Sequence, residues 1–216
     1  MQPASATYVV NRGAAFYSDL LTLLQAIQGV AVAMHWKLSG TVNHSPGDYA
    51  TVEAKHLGCD VRLPLVGPIE AALQNAEPEC IHVTVVSPHA HAPTEFTTQG
   101  LTRFFDSIFL PFLVTYHERH RTEIEVRYPA GRIAWPHAWQ MSWALRNAAS
   151  HNGRVFEKPT QQPVSWRGLT HSPADDASRS ILGVVSGGDI LVLMLDMEES
   201  RLGKPLERAS QEAPSK

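Results

Sequence analysis

Apolar residues recur every three or four positions over long stretches of this chain, and this period constrains the fold more than any other feature. One stretch runs from Ala14 to Lys37, and a longer one runs from about Thr97 to Glu125. Because successive residues of an α-helix are rotated by about 100°, such positions share one face that must be buried. The two stretches therefore predict long helices packed on other elements, with a kink or break in the second at Pro111.

Further helices are predicted from signals at their ends. Pro136 suits the first turn of a helix and Gly153 its C-terminal stop, which predicts a helix of about 16 residues. Asp189 is predicted as the N-cap of a last helix through Met197, and Pro68 begins a short one. An aromatic stripe, which belongs either to the core or to a dimer seam, consists of Trp135, Trp139 and Trp143.

Only one segment has the alternating pattern of a strand. Ile81 to Val86 is rich in β-branched residues, but a lone strand is marginal without partners. Tyr49 to Leu57 is instead predicted as a short helical piece. The fold class expected from these patterns is mainly α, a helical bundle with partly extended or looped insertions at about 40–100 and 154–188.

Composition limits the classes of function. The 216 residues predict one domain over 1–202, followed by a polar, disordered tail at 203–216. A net charge of −3 with 18% charged residues argues against a basic protein that coats nucleic acid non-specifically. Two cysteines form no disulfide framework and suit the reducing cytoplasm. No apolar run has the length of a membrane span, so we expect no membrane partner.

The residues that suggest chemistry stand at the end of the helix after Pro136. Arg146 is followed by polar Asn147, by small residues, and then by His151. An arginine and a histidine at this separation arise easily by chance, and the chain has a second instance in Arg132 and His137. In that second instance an apolar residue follows the arginine and a proline interrupts the helix. The first instance is therefore the better candidate site.

The run LRNAASHNG resembles the signature of the HEPN superfamily (higher eukaryotes and prokaryotes nucleotide-binding domain). That signature is an arginine and a polar residue followed by a histidine, near the end of a late helix in an α-bundle. Arg146, Asn147 and His151 match its positions. The resemblance implies a HEPN-like helical bundle that acts as a homodimer, with two copies of the motif at a shared cleft.

The activity that the resemblance implies is metal-independent cleavage of RNA without a cofactor. The suggested role is a toxin or host-defence effector that cuts tRNA, mRNA or rRNA and is restrained by an antitoxin or another regulatory protein. Histidine suits the base that activates a ribose 2′-OH, and arginine suits the phosphorane charge. Asn147 would orient the phosphate or the imidazole, and the products would carry 2′,3′-cyclic phosphates. Weaker candidates for contacts to the substrate are Arg132, Asn152 and Arg154.

Three other interpretations stay open at the level of sequence. Arginine and histidine near a helix C-terminus are stabilised by the helix dipole without any function. Some HEPN proteins bind nucleotides or partners without cutting RNA. A metal-binding helical protein is the third interpretation, although the spacing of its candidate ligands fits no structural zinc signature. Those ligands are His89, His91, His117, His120, Cys59 and Cys80.

Overall fold

The computed structural model describes residues 5–39, 48–87, 96–97, 102–151, 162–172 and 181–209. The chain divides into two compact units by its internal contacts. Unit 1 comprises Met1–Glu53, Gly58–Leu101 and Leu206–Lys216, and unit 2 comprises Ala54–Leu57 and Thr102–Pro205. One domain over residues 1–202 is what the sequence predicts, and its composition gives no sign of this division.

Unit 1 is built on a five-stranded sheet with two helices. The strands are β1 (Ala6–Asn11), β2 (Tyr49–Ala54), β3 (Cys59–Pro64), β4 (Cys80–Val86) and β5 (Phe96–Thr97). The helices are α1 (Tyr17–Ser39) and α2 (Gly67–Leu73). The order in the sheet is β1-β4-β3-β2-β5, with β1 and β3 antiparallel to β4 and β5 parallel to β2.

The expectation of a mainly α fold is wrong, because this sheet makes the protein a mixture of α and β structure. The strand predicted at Ile81–Val86 is confirmed, whereas the helical piece predicted over 49–57 is wrong, since Tyr49–Ala54 is a strand. β1, β2 and β3 have six residues each. β1 depends on pairing with the distant β4, as where Tyr8 lies opposite Val83, and β2 and β3 depend on their places beside other strands in the same sheet. A HEPN-like α-bundle therefore does not describe the whole chain.

Unit 2 consists of three long helices and a hairpin. They are α3 (Thr102–Arg127), α4 (His137–Ser150), β6 (Val164–Trp166), β7 (Leu169–His171) and α5 (Gly187–Leu202). α3 packs on α4 and α5, and α4 also packs on β6. Pro111 lies inside α3 and does not divide the helix. The hairpin turn places Arg167 and Gly168 at φ 44° and 84°, the left-handed values of a type I′ turn. No helix in the described ranges combines the length and apolar character needed to cross a membrane.

The helices predicted from residues 14 to 37 and after Pro136 are confirmed, with small shifts at their ends. α5 begins earlier than predicted, because Ser186 is the N-cap and Asp189 lies in the first turn. The Asp189 carboxylate accepts the backbone N–H groups of Ser186, His56 and Leu57 at 2.9, 3.0 and 3.1 Å. Asp189 is thus a buried cap that also anchors the segment 54–57 of unit 2.

The chain after α5 joins the sheet of unit 1. Leu206 is buried, the N–H of Val9 donates to Glu207 O at 2.9 Å, and the N–H of Ala209 donates to Thr7 O at 2.9 Å. A disordered tail is the expectation from residue 203, but residues 206–209 are paired with β1. Residues 210–216 lie outside the described ranges.

Candidate functional site

α4 is buried over most of its surface and keeps one stripe that solvent reaches. We call it the accessible stripe of α4, and its members are Gln140, Trp143, Arg146 and Ser150. Residues at a spacing of three or four lie on the same side of a helix, so these side chains follow one line. The motif predicted from the sequence therefore begins on a face of α4 that a ligand can approach.

Arg146 is held on this stripe by an acidic residue of α3. Its Nε donates to Glu118 Oε1 at 2.6 Å, and the two side chains are 34% and 41% exposed. Ion pairs this exposed contribute about 0–1 kcal/mol, so a phosphate can replace the carboxylate at little cost. Glu118 thus presets the guanidinium without locking it, a role that nothing in the sequence indicates.

Asn147 is placed differently from Arg146. It is only 9% exposed and already interacts within the protein. Its side chain is therefore far less accessible to a ligand than that of Arg146.

His151 follows the last residue of α4 and is exposed. Its φ and ψ are −133° and 39°, and its N–H donates to Ala148 O at 3.1 Å, which closes the last turn. Because His151 has left helical geometry, it does not continue the helical face on which Asn147 lies. Ser150 Oγ donates to Arg146 O at 3.2 Å and ties the residue before the histidine to the turn that carries the arginine.

Arg132 precedes α4 in sequence, but its side chain reaches the accessible stripe at Trp143, one turn before Arg146. Its guanidinium carbon is 3.7 Å from the ring centroid of Trp143. Gln140 fixes the neighbouring backbone, since its Nε2 donates to Ile133 O at 3.3 Å and to Trp135 O at 2.7 Å. The other weak candidates, Asn152 and Arg154, lie outside the described residues.

A buried histidine packs α3 on α4 beside this site. His117 Nδ1 is 2.7 Å from Ser142 Oγ, and Ser142 Oγ donates its proton to Trp139 O at 2.9 Å. The hydroxyl therefore accepts from Nδ1–H, and Nε2 is an unprotonated nitrogen with no hydrogen-bond partner in the described structure. Burial lowers the pKa of His117 to about 4. This candidate metal ligand is a neutral packing group at the seam between α3 and α4.

A second polar cluster joins α3 to α5. Glu198 is fully buried and accepts hydrogen bonds from Tyr116 and from Arg201, whose Nε and Nη2 lie at 2.7 and 3.0 Å. Burial alone would raise the pKa of Glu198, but the hydrogen bonds from Arg201 and Tyr116 outweigh it and hold that pKa below its ordinary value. Arg201 Nη1 also donates to Glu123 at 3.2 Å. Glu198 and Tyr116 are fully buried, whereas Glu123 at the edge of the cluster is 40% exposed, so the buried part of the cluster has a structural role.

The hairpin of unit 2 is fastened to α5 by one carboxylate. Asp196 accepts from Trp166 Nε1 at 2.7 Å and from Arg167 Nε and Nη2 at 2.7 and 2.8 Å. The hairpin, α5 and the N-terminal end of α4 line an open cleft of about 510 Å³. Arg167, which lines this cleft, is thus already paired with the Asp196 carboxylate.

Metal ligation finds no support in the described part of the chain, where no three or more His, Cys, Asp or Glu side chains form a group able to hold a metal ion. His89 and His91 lie outside the described ranges. Cys59 is buried, and Cys80 Sγ lies 3.6 Å from His82 Nε2. Among the candidate ligands that the structure describes, no three therefore come together at one place.

Comparisons with protein-family models, with curated proteins and with solved structures gave no match.

Proposed function

We propose that this protein is a metal-independent endoribonuclease whose site is Arg146, Asn147 and His151. Two features at the same end of α4 carry the proposal. Arg146 lies on the accessible stripe in an ion pair that a phosphate can displace, and His151, which follows the last residue of the helix, is exposed. The resemblance of this segment to the HEPN signature supports it. The proposed role is a cytoplasmic toxin or host-defence effector that cuts tRNA, mRNA or rRNA.

The chemistry assigns one step to each side chain. A phosphate of the RNA displaces the Glu118 carboxylate and binds the guanidinium of Arg146, which stabilises the negative charge of the phosphorane. His151 takes the proton of the 2′-OH, O2′ attacks phosphorus, and the P–O5′ bond breaks. Water supplies the proton that O5′ takes up, protonated His151 returns its proton to solvent, and a 2′,3′-cyclic phosphate remains. Asn147 supports the end of the helix that carries both groups.

The proposed assembly is a homodimer with the two sites facing one cleft, as the HEPN resemblance implies. Two copies of Arg146 would then double the positive charge beside the RNA, which compensates for the acidic balance of the whole chain. An antitoxin or another regulatory protein is the proposed partner that covers this cleft until cleavage is needed.

The decisive experiment is cleavage of total cellular RNA by the purified protein in EDTA, with analysis of the product ends. The matched control for His151→Ala is His137→Ala, which removes another exposed histidine from the opposite end of α4. We expect the wild type and His137→Ala to leave 2′,3′-cyclic phosphates, and His151→Ala to be slower by about 10²- to 10⁴-fold. Equal cleavage by His151→Ala, or none by the folded wild type, would contradict the proposal.

A non-catalytic protein that binds a nucleotide or a partner is the second candidate. The ion pair between Glu118 and Arg146 is compatible with this candidate, because an arginine that exchanges a carboxylate for a phosphate can bind a nucleotide without catalysing a reaction. Retention of RNA by the wild type without any cleavage, lost in Arg146→Ala, would select this candidate.

A further inference from the structure

The stacked pair of Arg132 and Trp143 is the feature of the accessible stripe that the proposed reaction leaves unused. The guanidinium carbon lies 3.7 Å from the ring centroid, close enough for face-to-face stacking. Both side chains keep partial exposure, and the adjoining Ile133 is 61% exposed. A planar cation backed by an indole is therefore presented at the surface of unit 2.

The backbone that carries Arg132 is held in place before any ligand arrives. A short 3-10 helix, Arg132–Ala134, is closed by the bond from the Trp135 N–H to Arg132 O at 3.0 Å. The amide of Gln140 then binds this segment to α4 through the carbonyls of Ile133 and Trp135. A ligand that stacks on the guanidinium consequently loses little affinity to ordering of the protein.

The position of the pair relative to Arg146 suggests the ligand. Trp143 and Arg146 are three residues apart on α4, which corresponds to about 4.5 Å along the helix axis. Adjacent bases of a stacked nucleic-acid strand are separated by about 3.4 Å. The backbone positions of Trp143 and Arg146 are thus separated along α4 by a distance comparable to the rise of one nucleotide, and both belong to the accessible stripe. Unpaired RNA bases stack on arginine planes as well as on aromatic rings.

We propose that Arg132 and Trp143 form a nucleobase-stacking subsite, which holds the unpaired base next to the phosphate bound by Arg146. This inference rests on the proposed ribonuclease function and adds its substrate class, single-stranded RNA. Stacking uses the flat face that every base has, so the subsite selects an accessible base over a paired one and tolerates all four bases.

The test uses DNA oligonucleotides that contain one ribonucleotide, so that one linkage can be cleaved. An abasic residue replaces the neighbouring nucleotide on one side or the other, and all four bases are compared at that position. The enzymes are the wild type, Arg132→Lys and Arg121→Lys. Arg132→Lys keeps the positive charge but removes the planar guanidinium. Arg121→Lys is the matched control, because Arg121 pairs with Glu125 on α3.

We expect the wild type and Arg121→Lys to cleave the base-containing oligonucleotide about 5- to 150-fold faster than the abasic one, on one side of the ribonucleotide. Arg132→Lys should lose most of this ratio while its circular dichroism stays that of the wild type. Binding of the same oligonucleotides with a 2′-O-methyl group at the ribonucleotide gives the ratio without catalysis.

Three results would overturn the subsite, and they distinguish its failure from that of the ribonuclease. Wild-type cleavage with no difference between base and abasic neighbours, or an unchanged ratio in Arg132→Lys, removes the subsite and leaves the ribonuclease in place. Neither cleavage nor binding of any oligonucleotide or of total RNA by the wild type would remove the ribonuclease and the subsite together.

Discussion

Unit 2 contains two arginine–glutamate pairs whose surroundings differ sharply. Arg201 and Glu198 are 14% and 0% exposed, and Tyr116 and Glu123 extend the pair into a network between α3 and α5. Arg146 and Glu118 are 34% and 41% exposed and are joined through Nε at 2.6 Å. The same two residue types therefore make a pair with a fully buried carboxylate in one place and a partly exposed surface pair in the other.

This difference separates a structural pair from an available one. A buried carboxylate that loses its cation has no water to replace it, so the Arg201 pair must stay closed for unit 2 to stay folded. An exposed pair loses little when it opens, because water solvates both charges. Arg146 can therefore exchange Glu118 for a phosphate, whereas Arg201 has no such freedom.

The largest expected effect on stability comes from removing the arginine of each pair. Arg201→Met leaves Glu198 buried without its cation and should lower the free energy of unfolding by about 3–5 kcal/mol. Arg146→Met should lower it by less than about 1 kcal/mol. Urea unfolding of both variants measures the difference. Equal losses would mean that exposure does not distinguish the two pairs.

The next effect concerns pH and the buried His117. Its pKa is about 4 in the folded protein against an ordinary 6.5, so between these values the unfolded chain binds more protons. Stability should therefore fall as pH is lowered from about 6.5 to about 4, by roughly 3 kcal/mol in total. Unfolding curves across this range should show a flatter profile for His117→Gln. An identical slope in the variant would assign the loss to other groups.

A smaller effect, on RNA affinity, is expected from a change in the exposed Arg146–Glu118 pair. Glu118→Gln removes the charge that competes with phosphate for Arg146 and should raise RNA affinity by about 2- to 5-fold, with little change in stability. Glu125→Gln is the matched control, because Glu125 forms a similar exposed pair with Arg121 on the same helix. Binding at several salt concentrations measures both. The same gain in the two variants would indicate a general charge effect rather than release of Arg146.

The smallest effect tests whether two exposed sites work together. In an equal mixture of wild type and Arg146→Ala, a dimer that needs both sites retains about one quarter of the wild-type activity, against about one half for independent sites. Activity measured after subunit exchange separates the two values. A linear dependence on the wild-type fraction would favour independent sites.

Local patterns accounted for the helices and for little of the sheet. The period of three and four in residues 14–37 and the signals at Pro136 predicted α1 and α4, because helix formation depends on neighbours within one turn. β4 was predicted from its β-branched alternation, but β1, β2 and β3 were missed. β1 has six residues and pairs with β4, which is distant in sequence, whereas β2 and β3 are neighbours along the chain and in the sheet and need further strands on either side to form a stable sheet.

The candidate site divides in the same way. Arg146, Asn147 and His151 were found from the motif and from the end of the helix that carries them. Glu118 was missed, since its pairing with Arg146 depends on how α3 lies against α4. His117 was taken for a candidate metal ligand, and only its burial beside Ser142 identified it as a packing group.

The sequence by itself determined where α1 and α4 run and which arginine and histidine stand at the end of α4, because capping and periodicity are local properties of the chain. Tertiary structure alone decided that Arg146 is partly exposed, that Asn147 is buried, and that Arg132 stacks on Trp143. Exposure and pairing depend on which surfaces the helices bury against one another. No spacing along the chain contains that information.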